Sequence, residues 1–65
     1  MYAVLDNEKV KTRAEECSLD RRALAEAAGI SVDTLKRIQR GERVMFSTAQ
    51  KVASVLGVRA RELRA

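Results

Sequence analysis

Charged side chains recur at helical spacing in the segment ISVDTLKRIQRGER, residues 30–43. A helix that begins near Val32 carries them on one stripe, at i, i+3, i+4 and i+7: Asp33, Lys36, Arg37 and Arg40. Leu35 and Ile38 point the other way, towards a core. Ammonium and guanidinium groups bind phosphate oxygens well. The stripe therefore has the chemistry of an anion-binding surface, unless its charges are simply solvated.

A solvated helix face with i,i+4 ion pairs is the alternative interpretation of this stripe. Asp33 can meet Arg37 in this way, but Lys36 and Arg40 face each other with like charge, which costs a few tenths of a kcal/mol. A bound phosphate would relieve that repulsion. The spacing alone leaves both interpretations open.

Two further cations, Arg21 and Arg22, fall in the first turn of a predicted helix, where the helix dipole favours anions. A phosphate bound there would turn an unfavourable placement into a favourable one. Pairing of Arg22 with Glu26 and of Arg21 with Asp20 would also explain these residues.

The elements that must position these side chains are short helices. Apolar periodicity, caps and glycine stops predict five of them, at residues 7–17, 21–28, 32–40, from Ser47 to Gly57, and at 59–64. Asp6 or Asn7, Asp20 and Ser31 are the predicted N-caps of the first three, and Ser47 with Gln50 forms a predicted capping box for the fourth. The fold class is all-α, a compact bundle of five short helices. Only residues 29–31 separate the second helix from the third, which predicts a helix-turn-helix.

Composition limits the classes of function. Sixty-five residues make one small domain, which we place at residues 7–65 after an arm or short extended segment at residues 1–6. With one cysteine and no histidine, the chain assembles neither a zinc site nor a nucleophile with its base. We therefore expect no enzyme, no cofactor and no evident small-molecule ligand. The short apolar start predicts a soluble protein without membrane contact. The lone cysteine favours a reducing, cytoplasmic setting.

The net charge of +4 is unevenly distributed. Residues 1–20 contain three basic and five acidic side chains, whereas residues 21–43 contain six and three, and residues 44–65 four and one. A basic surplus confined to the later part of the chain favours a polyanionic partner such as nucleic acid. The two aromatic residues, Tyr2 and Phe46, do not make a stacking platform for RNA.

One stretch, LDRRALAEAAGISVDTLKRIQRGER, resembles the lambda-repressor-like (Cro/Xre) family of helix-turn-helix DNA-binding domains. The resemblance extends from about Val10 to Leu63, and the later VASVLGV and REL continue it. The residues that carry it are apolar positions and glycines at fixed spacing: Leu24, Ala25, Gly29, Ile30, Leu35, Ile38 and Gly41.

The resemblance implies sequence-specific binding of double-stranded DNA by a transcriptional regulator, with the third helix in the major groove. Carried over position by position, the base-facing residues are Val32, Asp33, Lys36 and Arg37. The phosphate contacts are Arg21, Arg40 and Arg43. The family also implies a repressor that binds as a homodimer to a pseudo-palindromic site. A protein-interaction or antitoxin-like module on the same fold is the alternative.

Other residues have structural interpretations. We expect Cys17 to be a small buried residue that closes the first helix, and Met45 and Phe46 to cover the core under the loop. Residues 2–5 leave three interpretations open: a flexible arm, an edge strand that pairs with a second copy, or core cover.

Overall fold

A computed structural model describes all of the chain, residues 1–65. Its elements, in chain order, are β1 (Tyr2–Val4), α1 (Asn7–Glu16), α2 (Arg21–Ala28), α3 (Val32–Gln39), β2 (Arg43–Met45), α4 (Phe46–Leu56) and α5 (Ala60–Leu63). The five predicted helices are present, with ends that differ from the predicted ones by at most a residue. The all-α class is confirmed, with one small antiparallel sheet added.

Side-chain caps begin the first three helices as the sequence predicts. Asp6 accepts a hydrogen bond from the Glu8 N–H at 2.8 Å, and Asp20 accepts one from the Ala23 N–H at 2.8 Å. The Ser31 hydroxyl accepts one from the backbone N–H of the third helix residue at 3.1 Å. Gly29 ends α2 at φ 70°, a left-handed conformation that glycine adopts without strain. Only three residues, 29–31, connect α2 to α3, the short connection of a helix-turn-helix.

The predicted capping box at the start of α4 is wrong. The helix begins at Phe46, its N-cap is Met45, and no side chain caps it. The Phe46 N–H instead donates to the Met1 carbonyl at 3.0 Å. Pairing with the N-terminal strand therefore determines where α4 begins, and Ser47 lies inside its first turn.

The backbone of residues 2–5 forms hydrogen bonds along both of its edges. β1 pairs with β2 in the register Tyr2↔Met45, Ala3↔Val44 and Val4↔Arg43. On the other side Leu5 forms a bridge with Arg64, and the Ala65 N–H donates to the Val4 carbonyl at 3.1 Å. The side chains of Ala3 and Leu5 are buried. Of the three interpretations of this segment, the structure supports core cover.

The core contains sixteen buried side chains, all apolar, contributed by every helix and both strands. Leu35 and Ile38 anchor α3 in it, with exposed fractions of 1% and 0%. Truncation of such a side chain to alanine costs roughly 2–5 kcal/mol. The orientation of α3 is therefore fixed by burial of one face. No helix is both long enough and apolar enough to cross a membrane.

Two of the predicted buried residues are exposed. Cys17 lies one residue beyond α1, and the chain turns away after it because Ser18 adopts a left-handed φ of 57°. Leu19 packs against the core in place of Cys17. Met45 is exposed because strand alternation turns it outward, whereas Phe46 packs against the core as predicted.

Candidate nucleic-acid interface

The solvent face of α3 presents the four residues predicted to face bases. Val32, Asp33, Lys36 and Arg37 are all exposed, while Leu35 on the opposite face is buried. Ser31 caps the helix, so the Asp33 carboxylate is not needed as the cap. The helical periodicity thus brings these four side chains together on one rigid surface, as the sequence predicts. Whether they contact bases remains a prediction.

Ion pairing bears on the choice between a solvated face and a binding face. The structure contains two ion pairs, Arg13–Glu16 at 3.1 Å and Arg40–Glu42 at 2.7 Å. The Asp33–Arg37 pair that the spacing allows is not formed. Lys36 and Arg37 therefore keep their charges without a carboxylate partner, next to each other on an exposed helix. Such a surface favours an anionic ligand.

The start of α2 adds two more cations without partners. Arg21 and Arg22 are exposed, and neither the Arg21–Asp20 pair nor the Arg22–Glu26 pair is formed; the Asp20 carboxylate caps α2 instead. Arg21 and Gln39 of α3 line the same half-open hollow. Arg21 is therefore close to α3 and to the positive end of the α2 dipole, as a phosphate contact would require.

The other two predicted phosphate contacts have partners within the chain. Arg40 is the C-cap of α3, and its Nε donates to Glu42 across Gly41, whose φ of 75° folds the turn. Arg43 lies on β2 with its guanidinium 5.1 Å from the centre of the Tyr2 ring. Both arginines are exposed, so a phosphate can still reach them, but it must compete with these partners.

These two contacts were not found from the sequence. The Arg-Gly-Glu spacing of residues 40–42 was a usable signal for the ion pair, since a glycine turn brings its two neighbours together. The contact of Arg43 with Tyr2 had no local signal in the sequence, because it depends on the pairing of β1 with β2, two strands far apart along the chain. No three His, Cys, Asp or Glu side chains lie close enough together to hold a metal ion.

Comparisons with known proteins agree with this geometry. No match was found among curated proteins. The crystal structure of apo-HppE resembles the chain with a TM-score of 0.75 and 28% identity, over 91% of this chain and 34% of that one. A structure of Fe(II) HppE in complex with substrate gives a TM-score of 0.74, with the same identity and coverage. The chain thus spans about a third of the length of these proteins.

A family model described as helix-turn-helix, of the Cro/C1 type, matches residues 10–63. The match runs from within α1 to the end of α5 and includes both helices of the motif. The chain therefore belongs to the Cro/C1-type helix-turn-helix family, whose domains bind DNA in transcriptional regulators.

Proposed function

We propose that this domain binds double-stranded DNA in a sequence-specific manner, with α3 in the major groove. The observation that carries the proposal is the exposed pair Lys36 and Arg37, which have no carboxylate partner although acidic side chains are available on the same domain. A helix of eight residues is about 12 Å long and matches a groove roughly 12 Å wide. Burial of Leu35 and Ile38 holds the helix in place while its other face meets the bases.

Base recognition is proposed for four residues. Val32 is 38% exposed and offers a methyl surface to a thymine methyl group. Asp33 can accept from cytosine N4, and Lys36 or Arg37 can donate to guanine O6 and N7. Because these side chains are adjacent on one face, they would contact neighbouring base pairs.

Phosphate contacts are proposed for three arginines on separate elements: Arg21, Arg40 and Arg43. Arg21 would bind its phosphate together with the free N–H groups at the start of α2. Arg40 and Arg43 lie just beyond the C-terminus of α3 and would bind the backbone near the other end of that helix. Contacts at both ends would fix the register of α3 on the duplex, which is what phosphate contacts contribute.

We further propose a repressor that binds as a homodimer to two half-sites about one helical turn apart. Family membership supports this arrangement, and the chain itself is proposed to have no enzymatic activity. Selection of bound duplexes from a random DNA library at near-physiological salt tests the sequence-specific binding and the paired half-sites. We expect an enriched inverted repeat. A single short motif would argue against the dimer, and the absence of any enrichment would overturn sequence-specific binding.

A protein-interaction module is the second candidate, because the same fold occurs as about a third of the HppE chain, which is described as holding Fe(II) and a substrate. In that case the domain would contact another protein surface, and its basic face would not be needed for DNA. The double variant Arg37→Ala and Arg40→Ala separates the two candidates. A DNA affinity equal to that of the wild-type protein would favour the interaction module.

A further inference from the structure

An open groove with an apolar floor lies between α4 and α5 and has a volume of about 540 Å³. Its floor is formed by side chains that are buried or half-buried, and its charged rim by two exposed arginines. We call the following residues the α4–α5 groove: Phe46, Ala53, Val58 and Ala60 on the floor, and Arg59 and Arg61 on the rim.

The charge of the α4–α5 groove has a single sign. Arg59 and Arg61 are exposed, and neither forms an ion pair. The neighbouring acid, Glu62, accepts a hydrogen bond from the Arg59 N–H at 2.7 Å at the start of α5, and no carboxylate lines the groove. The hollow beside α3 differs, because carboxylates as well as cations line it. The α4–α5 groove therefore favours an anionic ligand.

The proposed DNA contacts make no use of this charge. All the arginines and lysines proposed to contact DNA lie within residues 21–43, whereas residues 44–65 contain four further cations and one acid. The two surfaces are also built from different elements. α5 packs against α4 and α1, while α3 packs against α2 and β2. The basic surplus at the end of the chain thus calls for a partner of its own.

The apolar floor distinguishes a protein ligand from a nucleic acid. A phosphate backbone gains nothing from apolar side chains, and bases stack on exposed rings, whereas Phe46 is half-buried and is the only aromatic residue in the groove. An amphipathic helix places apolar side chains in a groove of this kind. Carboxylates beside them would pair with the arginines of the rim, which bind carboxylates through two parallel hydrogen bonds.

We propose that the α4–α5 groove binds an acidic, amphipathic helical segment of a partner protein. Phe46 and Ala53 lie seven residues apart on α4, a distance of about 10 Å that two turns of a partner helix match. Such a contact is smaller than a standard interface, which buries about 800 Å² per partner. It is therefore weak and transient, with a dissociation constant of roughly 10–1000 μM. The proposal does not depend on the proposed DNA binding.

An NMR titration of the isotope-labelled wild-type chain with a synthetic peptide tests the proposal. The peptide consists of glutamate, alanine and leucine, with leucine along one helical face, and has about 18 residues so that it can form a helix. We expect amide shift changes at Ala53, Val58, Arg59 and Arg61. A control peptide with alanine in place of leucine keeps the charge and should bind about tenfold more weakly or less.

Three results of this titration would overturn the proposal. The first is the absence of binding up to millimolar peptide. The second is equal binding of both peptides, which would mean that the arginines attract any anion. The third is a set of shift changes confined to α2 and α3, which would place the peptide on the other basic surface.

Two exposed variants with the same change of charge locate the contact. Arg61→Glu places a carboxylate on the rim of the groove, and Arg22→Glu places one on α2. Both side chains are exposed and unpaired, so both variants should fold like wild type. Arg61→Glu should weaken peptide binding about tenfold or more, and Arg22→Glu by less than about threefold. Equal weakening would show attraction by the net charge alone and would overturn the groove.

A titration with a DNA duplex in place of the peptide separates this proposal from DNA recognition. We expect the amide shifts of Arg59 and Arg61 to stay unchanged. Shift changes centred on these two residues would assign the groove to nucleic acid and overturn the protein partner. A chain that binds the peptide but no duplex would count against the proposed function alone.

Discussion

Two of the three basic side chains of α1 form hydrogen bonds within the domain, whereas the two of α3 form none. In α1, Arg13 donates from Nε to the Leu56 carbonyl at 2.8 Å and pairs with Glu16 at 3.1 Å. Lys9 of the same helix donates to the Arg64 carbonyl at 3.0 Å. In α3, neither Lys36 nor Arg37 has a carboxylate partner.

This difference shows which charges the fold itself needs. Arg13 places a cation at the C-terminal end of α4, where the helix dipole is negative, so it stabilises the helix and closes its last turn. Removal of the α3 cations would break no side-chain hydrogen bond or ion pair. A basic residue that contributes nothing to the fold, yet stands on a rigid and exposed helix, is available for a ligand. Variants on the two helices should therefore separate stability from DNA binding.

The largest expected effect is on α3. Arg37→Ala should lower the affinity for the preferred DNA site by about 1–3 kcal/mol and relax specificity at one base position, if Arg37 donates to guanine. Its free energy of unfolding should stay within about 0.5 kcal/mol of wild type, because the side chain is exposed and unpaired. Competition binding with variant sites and a urea titration measure the two quantities.

Arg61→Ala is the matched control for this variant, since it removes the same group from an exposed position on α5. It should leave base preference unchanged. An equal loss of affinity by Arg37→Ala on random duplexes would assign Arg37 to the phosphate contacts instead.

Arg13→Ala should produce the opposite pattern. Loss of the hydrogen bond to the end of α4 should lower the free energy of unfolding by about 1 kcal/mol. The expected loss is this small because the Arg13 side chain is 41% exposed to solvent. DNA affinity of the folded protein should not change. Glu16→Gln removes only the exposed ion pair and should cost less than about 0.5 kcal/mol. If both variants were equally destabilised, the ion pair and not the carbonyl contact would be the stabilising interaction.

Local signals explain how much of the fold could be predicted. N-caps and glycine stops act on the backbone within four residues of themselves. Both ends of α2, the start of α3 and the end of α4 therefore follow from Asp20, Gly29, Ser31 and Gly57. The β1–β2 pairing joins residues about forty positions apart through strands of three residues. Strands that short show no clear alternation, so their pairing could not be predicted, and the start of α4 was misplaced with them.

The candidate site likewise has a part that local sequence signals predict and a part that depends on residues far apart in the chain. The exposed face of α3 follows from periodicity, because burial of Leu35 and Ile38 dictates which side chains point outward. The surroundings of Arg43 depend on Tyr2, which reaches it only through the sheet. Cys17 was misplaced for a similar reason, since the left-handed turn at Ser18 lies outside the helical pattern.

Arg40, at the C-terminus of α3, differs from Lys36 and Arg37 because it already has a carboxylate partner, Glu42, at 2.7 Å. It is nevertheless one of the proposed phosphate contacts. Arg40→Ala should weaken binding to all duplexes similarly and reduce the slope of log affinity against log salt by about one unit. An unchanged slope would remove Arg40 from the phosphate contacts.

Glu42→Gln should act in the opposite direction and more weakly. With both side chains about half exposed, the pair contributes little to stability, so the free energy of unfolding should change by less than about 0.5 kcal/mol. The released guanidinium no longer exchanges a carboxylate for a phosphate, and the repulsion between Glu42 and the DNA backbone disappears. Affinity should therefore rise by a similar small factor on specific and random duplexes, and Glu26→Gln, at an exposed and unpaired position on α2, serves as the control in the same binding assay. A gain confined to the preferred site would mean that Glu42 acts on base recognition through α3 and not on the phosphate contact of Arg40.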